Sequence, residues 1–164
     1  MDNDIKIRLA TPADEDALVD LALKAWKENG IIDVNPEKMR AMIKPALYLW
    51  EGMCGVIGGP GEQIEGAVLL RLGQMWYADS WILEEKAIFI HPDYRSAKGG
   101  RARRLCEFSK QVSDGLGIPL LIGVLSNERT AAKVKLYERQ FGPPAGAFFL
   151  YGVKTGNPDV DIKH

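Results

Sequence analysis

An apolar, β-favouring run, Ile88-Phe89-Ile90, is stopped by Pro92 and followed by Arg95, Ser96, Ala97, Lys98, Gly99 and Gly100. Apolar residues return at Ala102, Leu105, Phe108 and Val112, the spacing of one helix face. The pattern predicts a buried strand, a proline turn and a Gly-rich loop that opens a basic helix. The first N–H groups of a helix lack intrahelical partners and carry partial positive charge, so they bind anions. Glycines there let a ligand approach the backbone with no Cβ in the way. Arg95, Lys98, Arg101, Arg103 and Arg104 add positive charge at the same place. The chemistry that suits this pattern is the holding of a pyrophosphate.

The order Ile90-x-Pro92-x-x-Arg95, then glycines, then Arg101-Ala102 resembles motif A of the GNAT superfamily of acyl-CoA-dependent N-acetyltransferases. In that family the motif reads Arg/Gln-x-x-Gly-x-Gly/Ala, and its backbone amides hold the pyrophosphate of acetyl-CoA. Counted from Arg95, Gly100 fills the second glycine position, Lys98 stands at the first, and Gly99 comes one place late. Either the loop is reshaped there or Lys98 itself reaches a phosphate. The resemblance implies a cofactor cradle formed by Arg95, Ser96, Ala97, Lys98, Gly99, Gly100, Arg101 and Ala102. It also implies that the backbone of Phe89, Ile90 and His91 pairs with the pantetheine arm like an added strand and polarises the thioester carbonyl.

Asn127 and Leu136-Tyr137-Glu138 resemble a later motif of the same family. This implies that Tyr137 sits near the CoA sulfur, where a phenol, whose pKa exceeds a thiol's, can protonate the departing thiolate. The other reading is a core tyrosine whose hydroxyl reaches solvent. Asn127 is a cofactor contact by the same resemblance. Its gap to Tyr137 is about one helical turn longer than the family spacing, so Asn127 or Ser126 could instead cap the helix. Amine acetylation needs a base for the amine's proton, and some family members place a glutamate on the strand before motif A. Glu84 matches that position best, with Glu85 beside it. Alternation sends the two to opposite faces, so at most one faces the cleft; both could equally be surface charges. His91, next to a proline, is either a base or merely exposed. Trp76, Tyr77 and Trp81 could line an acceptor pocket with Asp79 holding the amine, or could pin their own loop.

Ile5 to Leu9 alternates like a half-buried strand. Thr11-Pro12 and Asn35-Pro36 are helix starts, the first helix stopping at Gly30 and the second before Pro45. Met53 to Ile57 and Ile64 to Leu72 read as a hairpin joined by Gly58-Gly59-Pro60-Gly61. Strands are also expected from Ile82 to Ile90, Pro119 to Val124 and Phe148 to Tyr151, and a helix from Thr130 to Gln140. The order is β-α-α-β-β-β-α-β-α-β, an α/β (α+β layered) chain. It matches a GNAT-like mixed, mostly antiparallel sheet with helices on both faces, as one domain over 1–153 with a polar tail over 154–164.

The 164 residues suffice for one domain with a real core. A net charge of −1 argues against a dedicated nucleic-acid binder. Cys54 and Cys106 have no metal-ligand or disulfide spacing, and suit buried thiols in a reducing cytosol. The acidic start has no apolar stretch like a signal peptide, and no apolar run is long enough to span a membrane. The expectation is a cytoplasmic enzyme that moves an acetyl group from acetyl-CoA, without a metal, to a small-molecule or peptide amine. No nucleic acid or membrane partner is expected, and a homodimer stays open. The alternative is a GNAT-like module that senses acyl-CoA or binds a partner without catalysis.

Overall fold

The computed structural model describes residues 5–95 and 99–153. Nine elements follow in order: β1 (Ile7–Leu9), α1 (Glu15–Asn29), α2 (Pro36–Leu47), β2 (Gly52–Ile57), β3 (Gly66–Gln74), β4 (Trp81–Ile90), α3 (Arg101–Leu116), β5 (Leu120–Leu121) and α4 (Thr130–Phe141). The strands form one sheet in sequence order. The first three pairings are antiparallel, and β4 with β5 is parallel.

Strand alternation builds a core on each face. On one side Cys54, Val56, Leu69 and Phe89 pack against Leu18, Leu21 and Ile43 of α1 and α2. On the other, Ile57, Val68, Leu70 and Leu83 pack against Leu105 of α3. Leu70, Leu83 and Leu105 are wholly buried, and each such burial stabilises by roughly 2–3 kcal/mol. Gly55 lets α3 approach closely: a ring carbon of Phe108 lies 2.6 Å from where a Cβ would stand.

Several boundaries differ from the sequence expectation. Pro45 does not end α2, which continues to Leu47. Pro45 removes one helix hydrogen bond and crowds the Ala41 carbonyl, a cost offset by the burial of Ala46 and Leu47 in the core. Thr11-Pro12 opens a short 3₁₀ turn, Pro12–Asp14, rather than α1 itself. Asp14 is buried there and takes both Nη atoms of Arg8 at 2.9 Å. The strand expected over Pro119 to Val124 makes a ladder only at Leu120–Leu121, and Phe148 to Tyr151 joins no ladder. Neither run is buried as an apolar strand would be: Leu121, Phe148, Phe149 and Tyr151 are exposed, and β5 leaves β4 after two residues.

Both cysteines are buried, and desolvation pushes each thiol up to about 12. Thiolate is the reactive form. Cys54 and Cys106 are therefore expected to react with a thiol reagent only as fast as the protein opens, and both at once in denaturant. A rapid single-thiol burst in the native protein would contradict this.

Candidate active site

The register between β3 and β4 slips once, with Leu70 opposite Glu85 and Leu69 opposite Ala87, so Lys86 is an extra residue. Such a bulge bends the strand and reverses its side-chain parity. Leu83 and Glu85 therefore share a face with Ile88 and Ile90 rather than with Ala87 and Phe89. β5 pairs only with Leu83 and Glu84, and the edge of β4 beyond them meets no strand. A cleft opens between the diverging chains.

The cleft holds two cavities of about 560 and 580 Å³. Asn29, Ile88, Lys133 and Tyr137 border both and form a waist. Glu85 reaches this region from β4. Desolvation lifts its carboxyl from 4.5 to about 7, while the Gly123 N–H and the charges of Lys86 and Lys133 hold it back. Burial pushes the Tyr137 phenol well above its ordinary range, and Glu85 and Cys106 push it the same way. Lys133 is shifted down by desolvation, against the pull of Glu28 and Glu128. A carboxyl poised near neutrality thus lines the same cavity as a phenol that keeps its proton. Such a pair can accept one proton and donate another.

The larger cavity is cationic. Arg95, Arg101, Arg103, Arg129, Lys133 and Arg139 line it, against the single carboxylate of Glu28. The N-terminus of α3 opens into it through Gly100, Arg101 and Ala102. Gly100 adopts φ 62° and ψ 13° as the N-cap, a left-handed conformation that favours glycine. The smaller cavity is lined by Trp26, Glu84, Glu85 and Phe148, among others.

The structure brings together Tyr137, Glu85, Gly100, Arg101 and Ala102 around this cleft. Glu84 lines the smaller cavity as well, so both glutamates reach the cleft where alternation predicted at most one, but its carboxylate is paired with Lys86 at 2.9 Å. Arg95 borders the larger cavity with both Nη atoms on the Glu28 carboxylate, at 2.7 and 2.6 Å. Its Nε donates to the Ile90 carbonyl at 3.0 Å, and its guanidinium covers the Phe89 ring. Arg101 reaches Glu65 at 3.3 Å. Ser96, Ala97 and Lys98 lie outside the described residues, and Gly99 forms the turn before Gly100.

His91 is turned away. It is buried, its Nδ1 accepts the Asp93 N–H at 3.1 Å, and Nε2 faces the Gln63 amide at 3.1 Å. Its backbone N–H donates to Glu65 O and its carbonyl accepts from Tyr94 N. Antiparallel alternation then directs the backbone of Phe89 to β3 and that of Ile88 and Ile90 to the open edge. Asn127 borders neither cavity; its N–H donates to Asn29 O at 3.0 Å. The N-cap position of α4 is Arg129, at φ 58°, and Ser126 exchanges contacts with the Thr130 hydroxyl that opens the helix. Trp76, Tyr77, Asp79 and Trp81 line neither cavity. Trp76 is 95% exposed and meets Tyr77 edge-on, so these aromatics belong to their own loop.

Sequence reasoning missed Lys133, Asn29 and Ile88. Lys133 had a signal, since it precedes Tyr137 by four residues and so shares its helix face. Asn29 had none, because only the folding of α1 against β4 brings it to the cleft. Among the described residues no three His, Cys, Asp or Glu side chains cluster to hold a metal, and no helix is long and apolar enough to cross a membrane.

No family model and no curated protein matches the chain. Its structural neighbours over nearly the full length are GNAT-family acetyltransferases. AAC(6')-Iy in complex with the bisubstrate analog CoA-S-monomethyl-acetylneamine matches with a TM-score of 0.65 at 16% identity, over 90% of this chain and 96% of that one. A ribosomal-protein-alanine N-acetyltransferase from Brucella melitensis matches at 0.64 and 12% identity, over 92% and 98%. A GNAT family acetyltransferase from Staphylococcus aureus matches at 0.54 and 17% identity, over 73% and 86%. The fold is that of the GNAT acetyltransferases.

Proposed function

We propose that this chain transfers an acetyl group from acetyl-CoA to an amine by direct attack. The observation that carries the reading is the waist: Tyr137, held in its protonated form, stands where a cationic cavity joins the one that Glu85, tuned to about 7, lines. The α3 N-terminus and its arginines suit the phosphates of CoA. The backbone of Ile88 and the N–H of Ile90, turned to the open edge, suit the amide-bearing pantetheine arm. The amine enters by the smaller cavity, Glu85 takes its proton, and Tyr137 gives one to the leaving thiolate. With both thiols buried and high, no cysteine serves as acyl carrier.

The neighbours' acceptors differ, an aminoglycoside-like analog in one and a protein alanine in another. The acceptor here is therefore set by the smaller cavity. Its Trp26 and Phe148 rings suit a cationic small-molecule or peptide amine, with Glu85 as the carboxyl that Lys86 does not pair.

Calorimetry with acetyl-CoA on the wild type and on Gly100→Trp, at two salt concentrations, tests this. Tryptophan at a left-handed position, filling the cradle, is expected to abolish binding in a folded protein, at a stability cost of about 1–2 kcal/mol. Wild-type binding should fall far less with salt than a phosphate-backbone contact does. Well-folded wild type that does not bind overturns the proposal. Binding without CoA release across an amine panel leaves the non-catalytic sensing module.

A further inference from the structure

One of the four residues at the waist is itself a primary amine. Lys133 stands one helical turn before Tyr137 on the same face of α4. Its Nζ donates to Asn29 Oδ1 at 2.7 Å and to the Glu128 carbonyl at 3.2 Å. These two acceptors hold it where the cofactor's reactive end and the acceptor would meet, within electrostatic reach of Glu85. Resting on the acetyl-CoA reading, we infer that Lys133 is a self-acetylation site, taking the acetyl group when no acceptor fills the smaller cavity.

The step is an N-acyl transfer. The neutral Nζ adds to the thioester carbonyl carbon, a C–N bond forms and the C–S bond breaks. Glu85 accepts the proton lost from nitrogen, and Tyr137 protonates the CoA sulfur and is reprotonated from Glu85. Counted from the ammonium form, the products are the acetyl-lysine amide, CoA thiol and one proton released to solvent. Desolvation favours the neutral amine, with Arg95 and Arg129 adding to it and Glu28 and Glu128 opposing it. The product amide keeps one N–H where the ammonium had three. It also fills the waist, so the modified protein loses turnover.

The full chain is incubated with acetyl-CoA and no acceptor, digested, and followed by mass spectrometry. Exposed Lys24, Lys27, Lys38 and Lys44 serve as internal references. Lys133 is expected to acquire acetyl at least about tenfold faster than these, from proximity to the bound thioester. Glu85→Gln should bring Lys133 down towards the reference rate, and Lys133→Arg should remove the signal from that peptide. Acetyl-CoA binding is measured by calorimetry on the same samples. Binding with Lys133 labelled no faster than the references overturns the inference and leaves the proposed function standing. Absence of binding overturns both.

Discussion

Glu85→Gln is expected to lower turnover with an amine acceptor by about a hundred- to ten-thousandfold, the range for loss of a general base. Acetyl-CoA affinity should change little, because the cationic cavity does not include Glu85. In the wild type, kcat/KM should rise about tenfold per pH unit below the Glu85 value of about 7 and level off above it. Glu84→Gln should cost no more than a few-fold, since that carboxylate is paired with Lys86 at 2.9 Å. The reverse ranking of the two variants would make Glu84 the base.

The same substitution should stabilise the protein in a pH-dependent way. The folded state holds the Glu85 proton up to about 7, whereas the unfolded chain releases it near 4.5. Between those values the folded state binds more protons, so the wild type loses stability as pH rises. Below 4.5 both states are protonated and the penalty is absent. Above 7 it is complete, on the order of 3 kcal/mol. The stability difference between Glu85→Gln and wild type should grow by that amount between pH 4 and pH 8. Urea melts at the two pH values measure it, and a difference independent of pH would mean that Glu85 is not desolvated in solution.

Arg95→Ala is expected to destabilise the fold by about 2 kcal/mol or more, through loss of its two-fold ion pair. Its side chain and that of Glu28 are only 22% and 18% exposed. Removing one member leaves the other charge poorly solvated, and fully buried pairs lose about 3–5 kcal/mol this way. For a chain of this size the melting temperature should fall by about 4–8 °C. A double-mutant cycle with Glu28→Ala should show strong coupling. The resemblance to motif A implies a residue beside the phosphates, and Arg95 does border the cationic cavity; its bonds to Glu28 and the Ile90 carbonyl also make it a clamp between α1 and the end of β4. If Arg95→Ala leaves the melting temperature unchanged and weakens acetyl-CoA binding instead, Arg95 is a phosphate ligand and not a clamp.

What could be read along the chain was whatever depends on near neighbours. The Gly58–Gly61 hairpin turn, the amphipathic α3 and the glycine turn that opens it are local, written in residue type and spacing. The resemblance carried by Ile90, Pro92, Arg95 and Arg101 led to the right fold for the same reason, since a loop that opens a helix is one continuous segment. The failures lie where distant segments compete for one partner. Phe148 to Tyr151 has the composition of a strand, yet β5 offers no ladder to it. His91 looked available until Glu65 and Gln63 took its backbone and ring.

The choice between Glu84 and Glu85 shows the division most clearly. The sequence by itself determined that two adjacent carboxylates would stand on the strand before the cradle, and that they would point to opposite faces. Only the tertiary structure decided which one is tuned. Pairing β3 with β4 leaves Lys86 as a bulge, the β4–β5 ladder stops at Leu121, and Gly123 and Tyr137 converge on Glu85. Desolvation is a property of surroundings assembled from α4, β4 and the chain after β5. No spacing within one segment records it.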